Sequence, residues 1–276
     1  IMLPSYTEVE KLHIAKEHLV SKVKIANGLK TSQVNITDEV IKQIIEKYTR
    51  EAGVRELERQ LSKVCRKAAY KLVNEKKKSV RVTKKKFTDT KAEKEPQVGL
   101  CTGLAWTEVG GVILPVEVAV LKGKGNIILT GQLGDVMKES ARAAITYIRS
   151  RSQELNLPEK FYEEDDIHIH FPEGAVPKDG PSAGITMATT IVSALTGKKV
   201  RADIAMTGEI TLRGRVLPIG GLKEKSLAAY REGIYTVIMP KENERDIDDI
   251  SKEVRDKMTF IPVKNMDEVL KIALVD

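Results

Sequence analysis

Aromatic residues are scarce in this chain of 276 residues: Phe, Trp and Tyr together make up 4% of it. Aliphatic side chains must therefore supply most of the core packing. No run of 18 or more apolar residues occurs, so we expect no membrane-spanning helix, and the first residues lack the basic and apolar regions of a secretory signal. The two cysteines, Cys65 and Cys101, do not have the spacing of a metal site, and we expect free thiols rather than a disulfide.

The net charge of +7 is unevenly distributed along the chain. Residues 1–95 hold 23 Lys and Arg against 13 Asp and Glu, whereas the remaining residues hold 23 against 26. Such an asymmetry is typical of two modules with different surfaces, the first of them basic.

Apolar residues recur at helical spacing in the first third of the chain, which predicts a small helical domain over residues 1–86. Thr7 and Glu10 form a capping-box pattern where the first helix starts, and Gly28 can end that helix in a left-handed conformation. Two further helices are expected within residues 37–74. The apolar stripes predicted for these helices comprise Val9, Leu12, Ala15, Leu19, Val23, Val40, Ile41, Ile44, Ile45, Leu57, Leu61, Val64, Cys65, Ala68 and Leu72.

A polar, charged segment at residues 87–97 has the composition of a linker. Beyond it, over residues 98–276, short β-rich runs with glycine punctuation alternate irregularly with helical stretches. The predicted fold class is therefore α+β, with the helical domain followed by a mixed α/β domain. The helices predicted in the second domain span about residues 137–155, 182–196, 222–232 and 265–273.

Ser182 lies in an unusual setting, because it follows Gly180-Pro181 and directly precedes an apolar helix. Backbone N–H groups at a helix start have no partner within the helix, so those near Gly180, Ser182 and Ala183 could stabilise an oxyanion beside the serine hydroxyl. A serine in this position also commonly serves only as an N-cap, and this interpretation stays open at the level of the local sequence.

A serine hydroxyl needs a base to become a nucleophile, and the chain offers two kinds. His168 and His170 alternate in a strand and so face the same side. A Ser–His–Asp arrangement with Asp179 is conceivable, but no spacing identifies either histidine as the partner of Ser182. Two histidines on one face could also begin a metal site, yet no third ligand is evident, so a supporting structural role is favoured for the pair.

Lysine is the other candidate base, provided that burial lowers its pKa from the usual value of about 10.4. Lys223 and Lys225 both follow Gly220-Gly221 at the start of a predicted helix. Lys225 shares a helix face with small and apolar residues, so periodicity favours it weakly over Lys223. Most lysines nevertheless lie on solvated helix surfaces.

Two long stretches, VPKDGPSAGITMATTIVSAL and MTGEITLRGRVLPIGGLKEKSLAA, resemble the proteolytic domain of bacterial Lon ATP-dependent proteases. GLAWTEVGG, LTGQLGDVMKESA, DIHIHFPEGAVPKDG and PKENERDIDDI resemble further parts of that domain. YTEVEKLHIAKEHL and YTREAGVRELERQLSKVCRKAA resemble the small helical (sensor-2) subdomain of the family's AAA+ ATPase. The resemblance covers nearly the whole chain. It implies a sensor-2 subdomain at residues 1–86 and a Lon-type proteolytic domain at residues 98–276.

The resemblance implies a serine endopeptidase of the Ser–Lys type, with Ser182 as nucleophile and Lys225 as general base. It further implies that Thr207 holds the lysine amine and that Asp179 takes part in switching the active-site loop. The residues that it implies as further support around the site are Glu117, His168, His170 and Trp106.

The phosphate-binding loop of the family's ATPase core is absent from this sequence, because the chain contains no G-x-x-x-x-G-K-[ST] motif. We therefore expect no bound cofactor and no ATP hydrolysis by this chain alone, whereas the full-length enzymes use ATP and Mg²⁺. The resemblance implies that Arg55 contacts an ATP phosphate there.

The resemblance also implies a cytoplasmic homohexamer that degrades unfolded or damaged proteins, with this chain alone cleaving only small or unstructured peptides. The segment at residues 87–97 is shorter than the corresponding segment in the family.

Two alternatives stay open. The lysine-rich residues 63–94 could belong to a basic DNA-binding or assembly module, although no reader motif accompanies them and few aromatic residues are present to stack bases. The proteolytic domain could also be present with Ser182 and Lys225 disengaged, in an inactive arrangement.

Overall fold

The computed structural model describes residues 6–49, 51, 53–75, 77–83, 95–107, 110–158, 160–172 and 178–276. The chain divides into two compact units. Residues 1–90 with 108–110 form the helical unit, and residues 91–107 with 111–276 form the sheet unit. Most of the predicted linker at residues 87–97 lies outside the described residues.

The helical unit is built from amphipathic helices around a small aliphatic core. Its helices are α1 (Glu8–Ile14), which continues through a π-helical turn (Ala15–Leu19) into α2 (Val20–Ala26), followed by α3 (Asp38–Tyr48) and α4 (Arg55–Asn74). Its strands β1 (Val34–Asn35) and β2 (Val80–Arg81) pair in parallel. The predicted helices are confirmed in type and order.

The first helix starts and ends as the sequence predicts. Thr7 and Glu10 exchange the two hydrogen bonds of a capping box, which satisfy backbone N–H groups that have no partner within the helix. Gly28 has a φ of 69°, the left-handed conformation that favours glycine after a helix. Val9 is the exception to the predicted apolar stripe, because its side chain is 53% exposed at the very start of α1.

The sheet unit contains a main sheet with helices on both faces. The strands of this unit are β3 (Leu100–Thr107), β4 (Gly110–Lys122), β5 (Ile127–Thr130), β6 (Asp165–His170), β7 (Lys199–Val200), β8 (Ile204–Met206), β9 (Glu209–Ile210), β10 (Val216–Leu217), β11 (Thr236–Pro240), β12 (Thr259–Val263) and β13 (Leu274–Val275). In the described residues the strands of the main sheet follow the order β12-β11-β8-β3-β4-β6-β5. Short antiparallel pairs are formed by β9 with β10 and by β7 with β13.

The helices of this unit are α5 (Asp135–Ser150), α6 (Phe161–Glu164), α7 (Gly184–Thr196), α8 (Leu222–Arg231), α9 (Lys252–Arg255) and α10 (Met266–Ala273). The predicted helix at 137–155 starts two residues earlier and ends at Ser150, and the one predicted from residue 182 begins as a 3₁₀ turn at Pro181–Ala183. Parallel and antiparallel pairings coexist in the main sheet, which confirms the predicted mixed α/β domain.

Two separate cores hold α7 and α8 against opposite sides of the main sheet. One core unites apolar residues of α5, α7 and α10 with alternate residues of β4 and β6, such as Val116 and Ile167. The other unites Leu222 and Ala229 of α8 with Leu104 of β3 and with residues of β8 and β11. Since successive side chains of a strand point to opposite faces, the central strands carry one helix on each side.

Gly111 permits the close approach of β4 to α8. A Cβ built on Gly111 would lie 1.9 Å from the carbonyl oxygen of Glu224 and 2.9 Å from the backbone nitrogen of Lys225. The carbonyl of Gly111 also accepts a hydrogen bond from Arg231 Nη2 at 2.7 Å. The position of the backbone at Lys225 therefore depends on the absence of a side chain at residue 111.

We predict that Gly111→Ala lowers the free energy of unfolding by about 1–3 kcal/mol, the usual cost of overpacking a closely packed contact. Gly220→Ala is the matched control, because a Cβ there meets no atom within 4 Å. Urea unfolding of both variants provides the measurement. Equal stability of the two variants would contradict the close contact between β4 and α8.

Candidate active site

Ser182 sits in the 3₁₀ turn Pro181–Ala183 that leads into α7. Gly180, the residue before this turn, has φ 114° and ψ 160°, a conformation essentially restricted to glycine. The carbonyl of Ser182 accepts hydrogen bonds from the backbone N–H of Gly208 at 2.8 Å and from Thr207 Oγ1 at 3.3 Å. The turn is therefore held against the segment that follows β8, while the Ser182 side chain remains partly accessible.

Lys225 lies in the first turn of α8, and its side chain is almost completely buried, at 2% exposure. No carboxylate of the described residues forms an ion pair with it. Burial without a counter-charge disfavours the ammonium form and lowers the pKa of Lys225 from 10.5 to about 8. Lys223, by contrast, is only partly buried.

Thr207 connects the lysine to the serine turn. Its side chain is fully buried directly after β8. Lys225 Nζ donates a hydrogen bond to Thr207 Oγ1 at 3.1 Å, and Thr207 Oγ1 in turn donates to the carbonyl of Ser182. The hydroxyl thus fixes one N–H of the amine.

Ser182 Oγ and Lys225 Nζ are not joined by a hydrogen bond. Within the described residues, Ser182 takes part in hydrogen bonds through its backbone carbonyl, and none involves its hydroxyl. The structure therefore brings serine, threonine and lysine into one connected group but leaves the serine hydroxyl free to turn toward a ligand or toward the amine.

Asp179 anchors the start of the serine turn to α5. Its Oδ1 accepts hydrogen bonds from the backbone N–H of Met137 at 2.9 Å and of Gly180 at 2.8 Å. Met137 lies in the first turn of α5, where the partial positive charge of the helix favours a carboxylate. A Cβ on Gly134 would overlap the Asp179 carboxylate, which shows how closely the two segments pack.

His168 and His170 form a separate cluster on one face of β6. Thr130 Oγ1 lies 2.9 Å from His168 Nε2 and 2.7 Å from His170 Nδ1. Glu117 is the register partner of His170 on β4 and is exposed to solvent. Because these rings bond to Thr130 and the Asp179 carboxylate bonds to backbone N–H groups, the described residues do not assemble a Ser–His–Asp arrangement. Nor do they contain a group of three or more His, Cys, Asp or Glu residues able to hold a metal ion.

Trp106 and Arg55 belong to different units, Trp106 to the sheet unit and Arg55 to the helical unit. The Trp106 ring packs against Gly221, directly before α8, and is 56% exposed. Arg55 is the exposed first residue of α4 in the helical unit, beside a shallow depression of about 350 Å³ that Lys22, Glu58 and Arg59 also line. Both cysteines are buried free thiols.

Sequence reasoning missed two residues next to the serine turn and α8, Ser140 and Gly111. Ser140 Oγ donates a hydrogen bond to the carbonyl of Pro181 at 3.3 Å. A serine within an amphipathic helix gives no sequence signal for such a long-range contact. A glycine in a strand does indicate a close backbone approach, and this signal was available at Gly111.

Comparison with known proteins places both units in one family. Residues 25–81 match the Lon protease AAA+ ATPase lid domain, and residues 72–276 match the Lon protease (S16) C-terminal proteolytic domain. The chain combines, in sequence order, an ATPase lid with an S16 proteolytic domain. It belongs to the Lon protease family.

Curated relatives show the same relationship over the whole chain. All of the chain aligns with Lon protease 1 of Bacillus subtilis (strain 168) at 57% identity and with the Lon protease of Bacillus thuringiensis (strain Al Hakam) at 56% identity. The Lon protease of Clostridioides difficile (strain 630) is 55% identical to it. The chain spans 37%, 36% and 36% of the length of these three relatives, respectively.

We predict that Lys225→Met raises the free energy of unfolding at pH 7 by about 3 kcal/mol, since the variant no longer buries an ammonium group. Below pH 8 the amine is protonated in both folded and unfolded wild-type chains, and the full cost of burial is present. Between pH 8 and 10.5 the folded chain loses the proton while the unfolded chain keeps it, so the wild type gains stability. The advantage of the variant should therefore disappear across this range.

Urea unfolding at pH 7, 9 and 10 measures this effect. Lys223→Met, which changes a partly buried lysine of the same helix, is the control and should alter stability little. A stability gain for Lys225→Met that did not depend on pH would contradict the buried, destabilised ammonium.

Proposed function

We propose that the sheet unit cleaves peptide bonds with Ser182 as the nucleophile and Lys225 as its general base. The observation that carries this proposal is the buried lysine amine, which has no ion-pair partner among the described residues and is connected to the serine turn through Thr207. With a pKa of about 8, roughly a tenth of the Lys225 side chains are neutral at pH 7, whereas an ordinary lysine is almost entirely protonated. A neutral amine in a buried position can accept the proton of a serine hydroxyl.

The reaction proceeds by acyl transfer. Ser182 Oγ attacks the carbonyl carbon of the scissile peptide bond, and its proton passes to Lys225 Nζ. The tetrahedral intermediate collapses as the C–N bond breaks, and the protonated lysine gives its proton to the departing amine. Water then attacks the carbonyl carbon of the ester on Ser182, and Lys225 takes a proton from the water. As the C–O bond to Ser182 Oγ breaks, Lys225 returns this proton to Oγ, and the carboxylic acid product leaves with Ser182 and the neutral amine restored.

Backbone N–H groups of the serine turn stabilise the oxyanion in this mechanism. Ser182 and Ala183 supply these N–H groups at the start of α7, where N–H groups have no partner within the helix, whereas the N–H of Gly180 already donates to Asp179 Oδ1. Thr207 leaves the lone pair of the neutral amine available by occupying one of its N–H groups. Asp179 positions the serine turn by linking it to α5. Structural support roles around the site are proposed for Trp106, Glu117, His168 and His170.

Ser182 Oγ and Lys225 Nζ are not hydrogen-bonded, which favours a site that becomes active when the two groups are brought together. Rotation of the Ser182 side chain, or a movement of the turn that begins at Gly180, would bring them together. In the absence of such an adjustment the domain is held inactive. This inactive arrangement is the second candidate state, and the missing hydrogen bond supports it.

In the whole protein we propose that proteolysis depends on ATP and Mg²⁺, with unfolded or damaged proteins as substrates and a homohexamer as the assembly. Lys22 and Arg59, which line the same depression, already pair with Glu58 and Glu56, so Arg55 is the cation that we expect to contact a phosphate group at this edge of the lid. Peptide cleavage itself uses residues of the sheet unit only, so this chain alone should slowly cleave small or unstructured peptides. Association with DNA through the basic residues 63–94 remains a prediction, and residues 76 and 84–94 of this range lie outside the described residues.

We predict that Ser182→Ala and Lys225→Met each reduce cleavage of an unstructured fluorogenic peptide by at least about a thousandfold, because each variant removes one partner of the acyl transfer. Lys223→Met is the matched control and should retain activity. Cleavage at wild-type rate by Ser182→Ala would refute the nucleophile, and normal rates in Lys225→Met would refute the base.

We also predict that kcat/KM rises with pH through a midpoint near 8, because the neutral form of Lys225 is the active one. Peptide cleavage measured from pH 6 to 10 tests this expectation. Activity that changed with a midpoint near 6.5, the usual range of histidine, would instead indicate His168 or His170 as the base.

A further inference from the structure

Ser140 is a buried polar residue of α5 that the mechanism above does not use. Its side chain is 7% exposed, and its hydroxyl donates to the carbonyl oxygen of Pro181 at 3.3 Å. A Cβ on Gly184 would lie 3.1 Å from Ser140 Oγ, so Ser140 also contacts the first residue of α7. This one side chain therefore touches the backbone on both sides of Ser182.

The direction of this hydrogen bond is unusual for a serine within a helix. Helical Ser and Thr hydroxyls commonly bond to a carbonyl of their own helix. Thr146 and Ser150 of α5 do so, with the carbonyls of Arg142 and Tyr147. Ser140 instead bonds to the neighbouring turn. Its hydroxyl thus links α5 to the turn that carries the nucleophile.

The peptide unit that Ser140 holds contains the N–H of Ser182. In a planar trans peptide the C=O and N–H groups point in opposite directions. Fixing the Pro181 carbonyl toward α5 therefore fixes the Ser182 N–H away from α5. Pro181 O also accepts the N–H of Gly184, but this bond lies within the segment from the turn into α7 and moves with it, whereas Ser140 ties the peptide to a separate helix.

The peptide unit between Ser182 and Ala183 is also held through its carbonyl group, here by residues that follow β8. The Ser182 carbonyl accepts from Gly208 N–H and from Thr207 Oγ1, and this fixes the direction of the Ala183 N–H. Both peptide units that flank the nucleophile are thus oriented through their carbonyl groups, one by α5 and one by the segment after β8.

We infer that Ser140 is a positioning residue, which orients the Ser182 N–H as an oxyanion donor through its hydrogen bond to the Pro181 carbonyl. The inference rests on the proposed acyl transfer at Ser182. Ser140 touches neither the substrate nor the reacting atoms, so its loss should affect the transition state and leave substrate binding nearly unchanged.

The test compares Ser140→Ala with Thr146→Ala, which removes an exposed hydroxyl of the same helix. Ser140→Ala should lower kcat for an unstructured fluorogenic peptide about tenfold, a fraction of the loss seen when an oxyanion donor is deleted outright, with KM within about twofold. Inhibition by a peptidyl boronic acid, whose adduct with Ser182 Oγ places an oxygen where the oxyanion forms, should weaken by a similar factor. The midpoint of the pH profile should not move, since Lys225 keeps its surroundings. Thr146→Ala should match the wild type in each assay.

Loss of the hydroxyl should leave the fold intact, because Pro181 O keeps the N–H of Gly184 as a donor. If Ser140→Ala nevertheless fails to fold, Ser140→Cys retains a group of similar size with a weaker donor and should lower kcat severalfold. A kcat within twofold of the wild type in the folded variant, or a loss confined to KM, would overturn the inference. Two outcomes separate the two proposals. Full activity of Ser182→Ala would refute the proposed function itself. Full activity of Ser140→Ala together with an inactive Ser182→Ala would refute only the role of Ser140.

Discussion

The burial of one lysine amine without a counter-charge is the constraint on which the candidate site depends. An ammonium group removed from water without an ion-pair partner costs several kcal/mol, so a fold tolerates it only where the surrounding packing is strong. The surrounding structure holds Lys225 in this position. Leu222 and Ala229 fix α8 in the core that includes β3, and Gly111 allows β4 to contact the helix backbone at residues 224 and 225. The fold thereby stabilises a neutral amine at the pH where an ordinary lysine is charged.

The serine is held by a different principle, through hydrogen bonds to the backbone rather than through burial. Asp179 and Ser140 connect its turn to α5, while Thr207 and Gly208 connect it to the segment after β8. Thr207 belongs to both systems, because it bonds to the amine and to the serine carbonyl. Rigid contacts thus surround a side chain whose hydroxyl has no hydrogen bond within the described structure, a combination suited to a nucleophile that must turn toward its substrate.

Features of the fold that depend on local sequence patterns were predictable from the sequence. The capping box at Thr7 and the stripe of α4 are local patterns, and the structure confirms them. Periodicity preferred Lys225 to Lys223 only weakly, and it was the resemblance to the Lon family that implied Lys225. Val9 was misassigned, since a residue in the first turn of a helix can extend beyond the core even when its spacing is right.

Other features depend on contacts that no local pattern encodes. Ser140 and Pro181 are 41 residues apart, and only the packing of α5 against the serine turn joins them. His168 and His170 share a face, as alternation predicts, but their common partner Thr130 comes from a neighbouring strand. The missing hydrogen bond between Ser182 and Lys225 is likewise a matter of side-chain conformation, which residue identities do not determine.

The pKa of Lys225 tests the central claim most directly. Lysine labelled with ¹³C at Cε allows its chemical shift to be followed from pH 6 to 12, and the signal absent from Lys225→Met identifies the residue. The structure predicts a midpoint of about 8 for this signal. A midpoint near the ordinary value of 10.5 would show that almost none of the amine is neutral at pH 7, instead of roughly a tenth, and it would contradict the role of Lys225 as the base.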